Sequence, residues 1–279
     1  MSTNETAAAA FNEFEASGWE MQAEPYDRFF GPITSRVVTE ADLLSAARVT
    51  RGSRVLDVGT GVGHLAAACA AAGGDVVGVD IAEAMVRLAR VAHPEVAFGR
   101  GDAEALPFND STFDAVLANF TILHVGRPSA AASEFARVLA PGGRVVLTTW
   151  DEPSRCRLAG VLVDAVARVD PPPPEGLPPG PGFFQFADTD AFTQLLAKAG
   201  LIDIQVHTVS FEYEVPDSAA LWEGLLGGTV RSRELVRRQP QQVQDHIRAV
   251  FEELTAHHAA DGHLRIPVSV KVAQATRLG

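Results

Sequence analysis

Apolar and polar positions change rhythm in regular blocks along the first half of the chain. Residues 53–59, SRVLDVG, make a short apolar run. HLAAACAAAG follows at 64–73, with the spacing of a helix stopped by Gly73 and Gly74. DVVGVD (75–80) reads as a second strand, and AEAMVRLARVAH (82–93) as a helix stopped near Pro94. EVAFGRGD (95–102) and FDAVLANF (113–120) read as strands three and four. PSAAASEFARVLA (128–140) is a helix halted at Pro141-Gly142-Gly143, and GRVVLTTW (143–150) is a fifth strand. Strands apolar on both faces, alternating with helices, predict a parallel sheet covered on both sides: an α/β, Rossmann-like fold.

The rhythm breaks after Trp150. Residues 171–182, PPPPEGLPPGPG, cannot continue a helix. DTDAFTQLLAKAG (188–200) then predicts a helix with Asp188 or Thr189 as cap and Gly200 as stop. IDIQVHTVSFEYEV (202–215) alternates like an extended strand, and 217–260 reads as a helical insertion. HLRIPVSVKVAQATRL (263–278) is a last strand, with Pro267 near an edge or bulge. The expected organisation is an N-terminal helical lid over 1–50, a ligand-binding core over 51–150, and the rest of the sheet over 151–279. Lid insertions are expected at 151–187 and 217–260.

Composition narrows the class. The chain has 279 residues, 47% hydrophobic, with a formal net charge of −12. That balance argues against unaided nucleic-acid binding, which needs a basic footprint. No apolar run approaches the roughly 18 residues of a membrane span, and the N-terminus lacks a secretory pattern. A cytoplasmic protein without membrane attachment is expected. Cys69 and Cys156 have neither metal nor redox spacing, and Cys69 sits in an Ala-rich helix as a buried structural thiol.

In an open doubly wound sheet the ligand lies beyond the C-terminal strand ends. Those ends carry Asp57, Asp80, Asp102, Asn119 and Trp150. The loop after the first strand has the spacing Gly59-x-Gly61-x-Gly63, which is not the G-x-G-x-x-G of a dinucleotide site. His64-Leu65 also lacks the Lys and Ser/Thr of a phosphate loop. An acid at 57 suits a positively charged ligand such as an adenosyl sulfonium. Asp80 can accept both hydroxyls of a ribose, and Asp102 an adenine amino group.

VLDVGTGVGHLA, VVGVDIAEAMVRLAR, GRGDAEALPFNDSTFDAVLANFTILHV and EFARVLAPGGRVVLTTW resemble, in order and spacing, the class I S-adenosylmethionine-dependent methyltransferases. The closest likeness is to the small-molecule group that includes ubiquinone and natural-product enzymes. The resemblance implies a seven-stranded sheet with one antiparallel strand, and S-adenosylmethionine as cofactor, leaving as S-adenosylhomocysteine. It implies that Asp57, Gly59 and Gly61 face the methionine end, with Tyr26 also at the cofactor. Asp80 takes the ribose, Ile81 packs on adenine, and Asp102 and Ala103 hold the adenine edge. Asn119 and Phe120 lie beneath the reacting centre.

The acceptor is read from what surrounds that core. NFTIL replaces the Asn-Pro-Pro-aromatic motif of enzymes that methylate nucleic-acid bases or glutamine, so that chemistry is not expected. Only Asp151 and Glu152 offer acids near the fifth strand, and no metal is expected. Lid segments supply Trp19, Phe29, Phe30, Phe183, Phe184, Phe186 and Trp222, which suit a flat, apolar acceptor. His124, just past the fourth strand, is the candidate general base, with Glu20 next. The chain also resembles methyltransferases of bacterial alkaloid and antibiotic pathways, which implies an acceptor such as indole C3. An O- or N-methyltransferase of a quinone precursor and a non-catalytic cofactor-binding module stand as alternatives.

Overall fold

A computed structural model describes residues 3–279. The strands are β1 (Arg54–Val58), β2 (Asp75–Asp80), β3 (Ala97–Arg100), β4 (Phe113–Asn119), β5 (Leu139–Trp150), β6 (Leu201–Val215), the two-residue β7 (Ala259–Ala260) and β8 (His263–Arg277). The helices are α1 (Thr3–Glu40), α2 (Leu43–Ala46), α3 (His64–Ala71), α4 (Glu83–Ala92), α5 (Pro128–Val138), α6 (Arg157–Val169), α7 (Thr189–Lys198), α8 (Ser218–Gly227), α9 (Arg231–Arg237) and α10 (Gln241–Ala256). The sheet order is β3-β2-β1-β4-β5-β8-β6, with β7 paired to β8. Strands β1 to β5 pair in parallel, and β8 runs antiparallel to both its neighbours. This is the doubly wound sheet that the sequence rhythm predicts.

The strands' alternation divides the core in two. Val55, Val76, Leu117 and Val146 face the layer formed by the later part of α1 with α3, α4, α6, α8 and α10. Leu56, Val79, Val116 and Leu147 face α5 and α7. Both faces are apolar because both are covered. Among the described residues no helix is long and apolar enough to cross a membrane.

Two segments depart from the sequence pattern, and Pro267 sits at an open edge as expected. Helix α5 stops at Val138 and β5 begins at Leu139, before the Pro141-Gly142-Gly143 run. Pro141 disfavours helical geometry in the residue before it. The β4–β5 register slips between Phe113 and Ala115 to take up the extra residues. Residues 151–187 are not all lid: α6 buries Leu158, Val161, Leu162 and Ala165 against the sheet layer. That four-residue spacing is helical, and the proline run after it masks the signal. Pro267 lies inside β8, at a point where the strand has outrun β5 and pairs only with Glu212 of β6. An absent N–H costs nothing on that open side.

Helix α1 has 38 residues and continues through Pro25 and Pro32, each of which removes a backbone donor. Tertiary packing holds it. Phe11, Trp19, Phe30, Ile33 and Val37 are all buried. Phe29 lies against Gly224 of α8, where any larger side chain would displace the ring. Asp188 caps α7 by accepting the N–H of Ala191.

Candidate active site

The C-terminal strand ends and α1 enclose a cleft of about 1210 Å³, its mouth included. Its floor is the turn after β1. Gly59 and Gly61 have φ of +65° and +56°, a region that favours glycine. What comes close differs at each. A side chain at Gly59 would collide with Thr121, whose hydroxyl donates to the Val58 carbonyl at 2.8 Å. At Gly61 the nearest atom belongs to the Tyr26 ring, 3.9 Å away, and the backbone is open to the cleft.

Asp80 ends β2 beside this turn. One carboxylate oxygen accepts the Gly61 N–H and the other the Ala82 N–H, both at 2.9 Å. An ionised carboxylate has about four acceptor positions, so capacity remains for a ligand. Burial raises its pKa, and the backbone N–H groups of Ala82, Gly61 and Ile81 only partly oppose that. Further donors would therefore stabilise its charge. Ile81, Asp102 and Ala103 line the same end. Asp102 is held by the N–H of Glu104 at 2.8 Å.

Asp57 is placed otherwise than expected. It is buried beneath the turn and absent from the cleft wall. It accepts the Thr60 hydroxyl at 2.7 Å and ties down the loop. Burial chiefly, with the Asp80 charge adding, pushes its pKa up to about 7 against the Thr60 and Ala66 hydrogen bonds. Its side chain points into protein because the strand's alternation puts it there.

Asn119 and Phe120 form the middle of the floor. Asn119 donates to the Thr34 carbonyl at 3.2 Å and accepts the Thr148 hydroxyl at 2.7 Å. Phe120 has φ +58°, a strained value for a residue with a side chain, and stacks on Trp150 at 4.0 Å. Tyr26 stacks on Phe30 at 5.6 Å. Burial pushes its phenol up to about 12, so at neutral pH it keeps its proton and cannot act as a base.

At the other end of the cleft stand Trp19, Phe30, Phe183 and His124. His124 closes a short 3-10 turn, Ile122–His124. Its Nδ1 lies 3.0 Å from the buried Glu15 carboxylate, which also accepts the Trp19 indole N–H at 3.1 Å. Glu15 is the functional candidate that sequence reasoning missed. The only trace was an acid four residues before a tryptophan in a helical stretch.

Five other expected residues lie away from the cleft wall. Glu20 accepts the N–H groups of Glu83 and Ala84 at 2.5 and 3.0 Å, and so caps α4 from a neighbouring helix. A carboxylate committed to two backbone donors outside the cleft is not placed as a base. Phe29 packs between α1 and α8, and Phe184 backs Phe183 at 5.0 Å. Phe186 belongs to the opposite core with Phe192, and Trp222 is buried on Phe251. These rings join the lid to the body. Among the described residues, the cleft wall has three carboxylates, Glu15, Asp80 and Asp102, and no Lys or Arg. No group of three or more His, Cys, Asp or Glu among them is placed to hold a metal ion.

This acidic, glycine-floored cleft lies at the carboxyl edge of a 3-2-1-4-5-8-6 sheet, which is where doubly wound folds bind their ligands. Comparison with known proteins is more specific. Residues 56–147 match the methyltransferase domain family. A demethylmenaquinone methyltransferase of Renibacterium salmoninarum is 30% identical over 176 residues, 60% of this chain and 74% of the relative. The enzyme of that name from Streptomyces avermitilis is 29% identical, over 69% of this chain and 80% of the relative. The structure of Haemonchus contortus phosphoethanolamine N-methyltransferase 2 in complex with S-adenosyl-L-methionine aligns with a TM-score of 0.58 at 20% identity. It covers 96% of this chain and 60% of that one, a likeness of fold. The chain belongs to the class I S-adenosylmethionine-dependent methyltransferases, and is an enzyme that transfers methyl groups from S-adenosylmethionine to a small molecule.

Proposed function

We propose that this methyltransferase acts on a flat aromatic or heterocyclic acceptor, such as an indole methylated at C3, with His124 as general base. The observation that carries this reading is the wall around His124. Trp19 lies edge-on to the imidazole at 5.0 Å, and Phe183 at 6.0 Å. Ring–ring contacts add about 0.5–1.5 kcal/mol per pair, and favour a planar guest over an aliphatic one.

The residues at the other end fit the cofactor. Asp80, whose carboxylate has acceptor capacity beyond its backbone donors, would take the ribose hydroxyls. Ile81 and Ala103 would flank the adenine and Asp102 would accept its amino group. The Gly61 backbone, open to the cleft, would admit the methionine portion. A wall with carboxylates and no Lys or Arg favours a cationic ligand. When bound, S-adenosylmethionine supplies an electrophilic methyl group on a positively charged sulfur. The protein's part is alignment. Asn119 and Phe120, fixed by Thr148 and Trp150, would support the reacting centre from below. Helix α1 would exclude water, and His124 would accept the proton that the acceptor gives up.

A second reading has its own support. The matched relatives carry the name demethylmenaquinone methyltransferase, which points to a quinone precursor as acceptor. One panel separates the two. Labelled methyl transfer to indoles, naphthoquinols and an aliphatic amine should be seen with indoles foremost. Turnover confined to naphthoquinols would establish the second reading. Turnover confined to the amine would overturn both.

A further inference from the structure

We propose that Glu15 is a positioning residue, fixing the tautomer and orientation of His124 so that Nε2 faces the acceptor. This rests on the reading of His124 as the base. The inference follows from one oxygen atom. Oε2 of Glu15 lies 3.1 Å from Nε1 of Trp19 and 3.0 Å from Nδ1 of His124. An indole nitrogen can only donate, so this oxygen is an acceptor. An ionised carboxylate only accepts, so the Nδ1 of His124 is then the second donor. A neutral imidazole carries one ring proton, which places it on Nδ1 and leaves the Nε2 lone pair free. His124 lines the cleft, and the hydrogen bond that holds its ring runs through Nδ1.

Both members are held in place. The Glu15 side chain is 3% exposed and sits within one turn of Trp19 on α1. Trp19 braces the imidazole from one side at 89° and Phe183 from another at 70°. The anchor extends along the helix, since Asn12 donates to Glu104 at 2.8 Å and accepts the Gly126 N–H at 2.6 Å. The turn carrying His124 and the helix carrying Glu15 are therefore docked at two adjacent points. As the acceptor's proton passes to Nε2, the ring becomes a cation whose Nδ1–H already faces a carboxylate. The proton leaves to water once product departs, and the pair returns to its starting state.

The test is nitrogen-detected NMR of the ligand-free protein with labelled histidine, at a pH where the spectrum itself shows the His124 ring to be neutral. The wild type should show the proton on Nδ1. Glu15→Leu, which fills the space without an acceptor, should move the signal toward the Nε2–H form. Glu15→Gln should restore the wild-type tautomer, since a single amide oxygen can accept both N–H groups. In turnover, Glu15→Leu should lower kcat about tenfold or more with acceptor KM within about threefold, a part of the base's contribution. In a His124→Ala background it should cost nothing further. A wild-type ring protonated at Nε2 would overturn the proposal, with no variant needed. So would losses from Glu15→Leu and His124→Ala that multiply. Full activity in His124→Ala would instead remove the base reading, and would leave the tautomer result standing.

Discussion

The two ends of the cleft are held by different means. At the Asp80 end the key hydrogen bonds join residues 2 and 19 positions apart, and they run from backbone N–H to carboxylate. At the His124 end they span 109 and 92 positions and join side chains of α1 to the core. The first end is built within the sheet and its turns. The second exists only when a separate helix is docked. A fold that leaves its cofactor end fixed and assembles its acceptor end from added segments can change acceptor without changing methyl donor.

Removing the docked helix would break this contrast most severely. A chain lacking residues 1–23 should keep its sheet by circular dichroism, because β1 starts at Arg54. It should lose turnover by at least about 10³-fold, since Asn12, Glu15 and Trp19 leave together and water enters. Cofactor affinity should fall by less than about tenfold, as Asp80 and Asp102 remain. Equal losses in affinity and turnover would mean that the two ends are not separable.

His124→Ala sharpens the same contrast within one side chain. Turnover should slow by about 10²-fold or more, and the pH–rate profile should lose its acid limb. A mutant that keeps that limb would place His124 among the cofactor contacts. Asp80→Asn should act at the opposite end, weakening cofactor binding by about 1.5–3 kcal/mol, or roughly 10- to 150-fold. Unchanged affinity by calorimetry would remove Asp80 from the site.

How much of this was legible in the sequence follows the same division. The Asp80 rim, the glycine turn and the alternation of strands and helices could be read from short segments, because each group acts on neighbours in the chain. His124 was visible as a histidine just past a strand end. Its partner Glu15 was not, because nothing local distinguishes an acid that reaches across 109 positions from one that faces solvent. Glu20 shows the converse error. It looked available for chemistry, yet it caps α4. Phe186 and Trp222 misled for a related reason. Aromatic residues in an insertion signal burial, and burial in the body was as consistent with them as burial in the cleft. Asp57 misled by a single step of strand alternation, which turned its carboxylate beneath the loop rather than onto it.

The smallest expected effect concerns that buried acid. Its folded value of about 7, raised from 3.8 chiefly by burial, means that folding favours the protonated form. The resulting stabilisation is fully present below about pH 4 and is lost as pH rises through 7. Asp57→Asn should flatten that decline and raise Tm at pH 8 by about 2–4 °C. A steeper decline in the variant would show that the ionised carboxylate stabilises the turn.

The cofactor end and the acceptor end of the cleft work separately in this reading. The most direct test is calorimetric titration of S-adenosylhomocysteine into the wild type and into His124→Ala, run beside the turnover of both. Separate ends should give equal affinities, within about threefold, and rates that differ by about 10²-fold or more. An affinity that falls in step with the rate would contradict that separation.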